Sequence, residues 1–162
     1  MMEQKEFIQA RVGILTISDT RNLDTDKSGQ LLVAALEAAG HVVTERLVVK
    51  DDDFLINTGI AKLKSQSDCV ISNGGTGIAV RDVTFEALWD QVEQEIPGFG
   101  ELFRMLSYEE IGTRAMLSRA FAGFTHDNVL LFVVPGSTNA CNLAINKLII
   151  PELPHFLAER RK

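Results

Sequence analysis

Apolar residues along this chain fall into two kinds of run, short continuous blocks and longer stretches in which they recur every three or four positions. Residues 11–18 read Arg-Val-Gly-Ile-Leu-Thr-Ile-Ser, a β-branched, mostly apolar block that ends in the polar turn Ser18-Asp19-Thr20. A parallel strand buried on both faces has this composition, so the first strand is expected there. Over 28–39, Leu32, Ala35, Leu36 and Ala39 repeat at i, i+3, i+4 and i+7, and Gly40 stands where a glycine ends a helix. A second strand is expected over 42–49. The acidic triplet Asp51-Asp52-Asp53 follows it and can cap a helix carrying Leu55, Ile56, Ile60 and Leu63 to about Ser65.

The block Cys69-Val70-Ile71-Ser72 predicts a third strand opening onto Asn73-Gly74-Gly75-Thr76-Gly77, a glycine-rich loop. Thr84 can cap the next helix, with Glu86 in its first turn, Leu88 and Val92 on one apolar face and Trp89 beside them. That helix stops before Ile96-Pro97-Gly98, and residues 99–111 read as another. Residues 121–124 and 129–134, joined through His126-Asp127-Asn128, read as a hairpin, which makes the sheet mixed. Pro135-Gly136-Ser137 starts a helix through Leu143 and Leu148, and a last amphipathic piece around Leu153 to Leu157 closes the chain.

Strands alternating with helices imply an α/β fold, a three-layer α/β/α sandwich around a mainly parallel, mixed sheet, in one domain spanning 1–162. Ligands in such sheets bind beyond the carboxyl ends of the strands. The polar and glycine-rich segments lie there: Ser18 to Thr20, Asp51 to Asp53, Asn73 to Asp82 and Pro135 to Asn139.

Composition narrows the function. The 162 residues are 46% hydrophobic and 23% charged, with 16 lysines and arginines against 22 acids and a formal charge of −6. This is an ordinary globular make-up without the basic footprint of a nucleic-acid binder, so no nucleic-acid partner is expected. The longest strongly apolar run, residues 129–134, is too short to span a bilayer, and the first residues lack a signal-like apolar core. The expectation is a cytoplasmic protein with no membrane partner. Cys69 and Cys141 belong to no metal-binding or redox cluster and read as buried hydrophobes. His41, His126 and His155 are scattered and read as turn or surface residues; Trp89, Phe99 and Phe103 read as core or subunit contact.

The chemistry concentrates in the glycine-rich loop. Gly74, Gly75, Thr76 and Gly77 supply backbone N–H groups and a hydroxyl that can converge on a phosphate, although a bare Gly-Gly-x-Gly also serves as a tight strand-to-helix connection. No Gly-x-x-x-x-Gly-Lys-Ser/Thr occurs, and Val80 stands where Gly-x-Gly-x-x-Gly needs its last glycine, which excludes both common nucleotide loops. Arg81-Asp82-Val83-Thr84 then places a cation, a carboxylate and a helix cap close behind. By themselves Asp51 to Asp53 read first as a solvated cap cluster, and Asp82 can be an arginine's ion-pair partner or a helix cap.

Together these residues resemble the Gly-Gly-Thr-Gly-x-x-x-Arg-Asp-Val-Thr signature of the MogA/MoaB family of molybdenum cofactor biosynthesis proteins. The likeness continues through Ile17-Ser18-Asp19-Thr20, Asp51, Pro97-Gly98-Phe99, Leu117-Ser118-Arg119 and Pro135-Gly136-Ser137. The Pro-Gly-Ser-Thr form of the last loop is closer to the MoaB branch. Phe85 departs from the pattern, which commonly has proline there and so a more rigid helix start.

The resemblance implies adenylylation: molybdopterin attacks the α-phosphorus of ATP, giving adenylyl-molybdopterin and pyrophosphate. It implies Asp51 and Asp82 as catalytic residues that also hold Mg2+. Ser18, Asp19, Thr20, Gly74, Gly75, Thr76, Gly77, Arg81, Ser118, Arg119, Pro135, Gly136 and Ser137 would bind molybdopterin and ATP. It further implies a homotrimer, or a hexamer of two trimers, and contact with other molybdenum cofactor biosynthesis proteins. Two other readings stand beside the enzyme: an oligomeric carrier of molybdopterin or nucleotide, and a purely structural interaction domain. Two metal-capable acids at strand ends argue against a passive carrier.

Overall fold

A computed structural model of the chain describes residues 7–162. Strands β1 (Arg11–Ile17), β2 (Val42–Val49), β3 (Cys69–Asn73), β4 (Val92–Glu95), β5 (Phe121–Thr125) and β6 (Leu130–Val134) form a six-stranded sheet in the order β2-β1-β3-β6-β5-β4. Strands β2, β1, β3 and β6 are parallel, and β5 runs antiparallel to both of its neighbours. The helices are α1 (Lys27–Ala38), α2 (Asp53–Lys64), α3 (Thr84–Trp89), α4 (Pro97–Ile111), α5 (Thr138–Leu143) and α6 (Ile150–Arg160). The α/β/α sandwich with a mainly parallel, mixed sheet is therefore present.

The twofold period of the strands divides the core. On one face Val12, Ile14, Ile71 and Phe132 pack with Leu32 and Leu36 of α1, Phe99 and Phe103 of α4 and Leu153 of α6. On the other, Leu15, Val70, Leu131 and Val133 pack with Ile56, Ile60 and Leu63 of α2 and Leu88 of α3. Successive strand residues point to opposite faces, and both faces are covered, so these strands read as unbroken apolar blocks. Each fully buried aliphatic side chain stabilises the fold by about 1.5–3 kcal/mol. Cys69 and Cys141 are buried in this packing, and burial pushes the Cys141 thiol up to about 12.

Several expectations are corrected. Val92 does not continue a helical face; α3 stops at Trp89, and Val92 begins β4, pairing with Thr125 of β5. Gly123 makes this possible, since a Cβ there would lie 2.6 Å from both the Gln94 carbonyl oxygen and the Val92 side chain. Thr84 does not cap α3: it is the first helical residue and donates its hydroxyl to Asp51. The two C-terminal pieces are one helical run, because α5 passes through a π turn over Ala144–Ile149 directly into α6. Pro151 has no N–H to give the preceding turn, and the ladder widens there. His41 is no surface residue. It is 5% exposed, its Nδ1 accepts from the Ala10 N–H at 2.9 Å, and burial lowers its pKa, favouring the neutral ring.

The parallel register aligns the ends of neighbouring strands. Ile17 stands opposite Val49, Thr16 opposite Asn73, and Asn73 opposite Val134. The loops that follow β1, β2, β3 and β6 consequently leave the sheet side by side.

Candidate functional site

The first of these loops is a turn closed by Ser18, whose Oγ accepts from the N–H groups of Thr20 and Arg21 at 3.2 and 3.1 Å. Asp19 projects from it to accept from the Asp51 N–H at 3.1 Å, which ties the β1 and β2 loops together. The acidic triplet then divides its work. Asp52 caps α2 through the Leu55 N–H, and Asp53 lies in the first helical turn. Asp51 turns the other way: its Oδ1 accepts from the Thr84 hydroxyl at 2.9 Å and the Val83 N–H at 3.4 Å. Asp51 thus holds Val83 and Thr84, the residues that open α3, from another loop and joins the β2 loop to the residue after Asp82.

The loop after β3 depends on its glycines. Gly74 has φ +94°, and a Cβ on it would lie 2.2 Å from the Ile17 carbonyl oxygen. Replacing Gly74 with alanine is expected to destabilise the protein by roughly 1–3 kcal/mol or more, because the residue is held where L side chains are strained and the clash is with backbone. An unchanged denaturant midpoint would contradict this. Gly136, from the loop after β6, packs its Cα face on Gly74, with 3.0 Å between its Cβ position and the Gly74 Cα.

Among the described residues, the backbone N–H groups of Gly75, Thr76, Gly77 and Ile78 donate to no protein acceptor. Thr76 is only 6% exposed. A run of such donors at a strand end, with one member buried, can receive an anionic ligand. Asp82 stands beside it. Its Oδ2 accepts from the Ala79 N–H at 3.0 Å and lies 2.7 Å from the Cβ position of Gly77. The loop therefore joins a donor cradle to a carboxylate, and a phosphate placed there would need a cation between the two negative groups.

The described residues contain no cluster of three or more His, Cys, Asp or Glu able to hold a metal by themselves. Asp51 and Asp82 offer separate carboxylates on tied loops. That donor set fits magnesium, which takes one or two carboxylates and completes its shell with phosphate oxygens and water.

Other expected residues take different places. Arg81 reaches Asp19 at 3.8 Å, but with side chains 82% and 45% exposed this pair is worth little. Arg119 makes no reach toward the β1 or β2 loops. Its Nε donates to the Thr76 carbonyl at 3.2 Å, another nitrogen to the Gly77 carbonyl, and the third to Glu86 at 2.7 Å. Ser118 has a buried hydroxyl without a partner among the described residues. Pro135 precedes Gly136, and Ser137 caps α5 through the Ala140 N–H at 3.1 Å.

Beneath the loops lies a network that the sequence reading missed. Asp26, completely buried, accepts from Thr16 Oγ1 at 2.6 Å and the Gly29 N–H at 3.0 Å, and pairs with Arg46 at 3.1 Å. Asn73 donates to the same Thr16 hydroxyl, and its own buried Oδ1 has no partner. Arg21 and Ser28 both donate to the Gly136 carbonyl, at 3.0 and 2.7 Å. The one local signal was Asp26 standing three residues before Gly29, a cap spacing.

A family model described as a probable molybdopterin binding domain matches residues 13–155. The molybdenum cofactor biosynthesis protein B of Halalkalibacterium halodurans is 53% identical over 152 residues, covering 92% of this chain and 89% of that protein. A crystal structure of a molybdenum cofactor biosynthesis protein B superposes with a TM-score of 0.89 at 49% identity, covering 98% of this chain and 99% of the other. The tungsten cofactor synthesizing protein MoaB from Pyrococcus furiosus superposes at 0.86 with 33% identity, over 95% and 98%. With the signature loop, the strand-end carboxylates and relatives bearing the MoaB name in agreement, the chain belongs to the molybdopterin-binding domain family, on its MoaB side.

Proposed function

We propose that the protein works in molybdenum cofactor biosynthesis as a molybdopterin adenylyltransferase, using MgATP. The observation that carries this reading is the run of unpaired N–H groups at Gly75 to Ile78 next to Asp82, with Asp51 tied to the following residue. In the reaction, a terminal phosphate oxygen of molybdopterin forms a bond to the α-phosphorus of ATP. The bond from that phosphorus to the bridging oxygen breaks, and pyrophosphate leaves with the electron pair.

Such a transfer between anions depends on alignment and charge stabilisation more than on covalent help from the protein. The backbone donors of the glycine-rich loop hold a phosphate group through fixed dipoles, and the Thr76 hydroxyl adds another donor. Asp82 and Asp51 hold magnesium, which when bound offsets the phosphate charge. Ser18, Asp19 and Thr20 after β1, and Gly136 and Ser137 after β6, take part in binding molybdopterin and ATP. Pyrophosphate release that requires both ATP and molybdopterin is the expected result for the purified protein. Release independent of molybdopterin, or none with both bound, would contradict the reading.

Assembly belongs to the same reading. Helix α4 leaves Leu102, Met105, Tyr108 and Ile111 exposed, and Met116 and Leu117 continue the strip. A stripe of this kind is a surface that another subunit covers. Light scattering is expected to give the mass of a trimer or of a hexamer; a monomer at micromolar concentration would refute it. No helix among the described residues is long and apolar enough to cross a membrane.

A further inference from the structure

Two carbonyls of the glycine-rich loop, those of Thr76 and Gly77, accept from one guanidinium, that of Arg119. In a trans peptide the C=O of one residue and the N–H of the next point in opposite directions. With the Thr76 and Gly77 carbonyls turned toward Arg119, the N–H groups of Gly77 and Ile78 must face away from it. These are two of the donors that no protein acceptor takes among the described residues.

The guanidinium is itself held. Its third nitrogen pairs with Glu86 at 2.7 Å, and its carbon lies 4.5 Å from the centroid of the Phe85 ring. Phe85 in turn stacks on Trp89 and meets Phe121 edge to face. Hydrogen bonds and ring contacts thus fix Arg119 on its back and sides, and its free end grips the loop. Resting on the phosphate-binding reading of that loop, we infer that Arg119 is a positioning residue: braced by Glu86 and Phe85, it sets the peptide planes that aim the Gly77 and Ile78 N–H groups at a phosphate.

This differs from the role implied by family resemblance, in which Arg119 would contact substrate directly, and the two roles predict opposite results at Glu86. A positive side chain that binds an anion is helped when a neighbouring carboxylate is neutralised. A clamp that loses its brace is weakened. The arginine fork can hold two carbonyls at once, whereas lysine brings a single point charge.

The experiment is calorimetric titration of the full chain with inorganic pyrophosphate and magnesium, for the wild type, Glu86→Gln, Arg119→Lys and Arg119→Gln. Glu86→Gln is expected to weaken binding about two- to fivefold, the scale of an ion pair whose carboxylate side chain is 61% exposed, although it removes a negative charge near the anion. Arg119→Lys should lose as much as Arg119→Gln. Tighter or unchanged binding in Glu86→Gln, or near wild-type binding in Arg119→Lys, overturns the inference.

A second measurement separates this from failure of the phosphate reading itself. In ligand-free protein, amide exchange of Ala79 and Asp82, whose N–H groups close the turn after Gly77 at 3.0 and 2.9 Å, should speed up in Glu86→Gln and Arg119→Lys while strand amides keep their protection. Unchanged exchange at those two amides overturns the clamp. Absence of pyrophosphate binding by the wild type overturns the phosphate reading, and the exchange result still decides the clamp.

Discussion

Replacing Asp26 with alanine is expected to destabilise the protein by about 3–5 kcal/mol, the usual loss when one member of a buried charge pair is removed. The carboxylate is fully buried; besides costing Arg21 an ion-pair partner at 4.0 Å, its removal strands three hydrogen-bond donors: the Thr16 hydroxyl, the Gly29 N–H and the Arg46 guanidinium. None has a second protein acceptor at that point except Arg46, which also donates to the Leu23 carbonyl at 3.1 Å. For a chain of this size each kcal/mol lowers the melting temperature by roughly 2–4 °C, so a fall of about 6–20 °C should appear in a thermal scan. Asp26→Asn retains the shape and one acceptor oxygen and should fall less. A loss below about 1 kcal/mol in Asp26→Ala would show that the network is not what holds the β1 loop and α1 together. The same change should loosen the cleft, since Arg21 and Ser28, on either side of Asp26, hold the Gly136 carbonyl.

Asp82→Ala is expected to act on turnover instead, lowering adenylyl transfer by about 10²–10³-fold, the scale on which loss of one group stabilising transition-state charge is felt. Its carboxylate makes a single hydrogen bond, to the Ala79 N–H. The fold should survive, so the melting temperature should move by no more than a few degrees while the turnover collapses. Raising magnesium should recover part of the activity of Asp82→Asn, which keeps an oxygen ligand, and little of that of Asp82→Ala. Equal turnover in wild type and Asp82→Ala would remove this residue from the reaction.

Much of the architecture was legible because buried parallel strands announce themselves. The blocks at β1, β3 and β6 are mostly apolar and buried on both faces, and the 3.6-residue repeat of α1 ends on a glycine with φ +90°. Strand β4 was not legible. Its Val-Glu-Gln-Glu is short and charged, as edge strands are, and what admits it is the missing side chain of Gly123, some thirty residues away. The site divided in the same manner. Residues that work by backbone shape, such as Gly74 and Gly77, showed in the sequence as a glycine cluster. Residues that work through distant partners did not: Asp26 meets Thr16 and Arg46, Asp51 holds the Thr84 hydroxyl thirty-three residues on, and Arg119 holds carbonyls that precede it by more than forty positions. A single sequence carries no mark of such pairings, and family resemblance gave Arg119 a different role from the one its bonds describe.

The most direct test of the central claim supplies the purified protein with molybdopterin, magnesium and ATP labelled at its α-phosphorus, and follows the label and pyrophosphate together. The account predicts label transferred to molybdopterin with one pyrophosphate released for each adenylyl group. Molybdopterin bound in stoichiometric amount, with the label remaining in ATP and no pyrophosphate formed, would contradict it and make the protein a carrier.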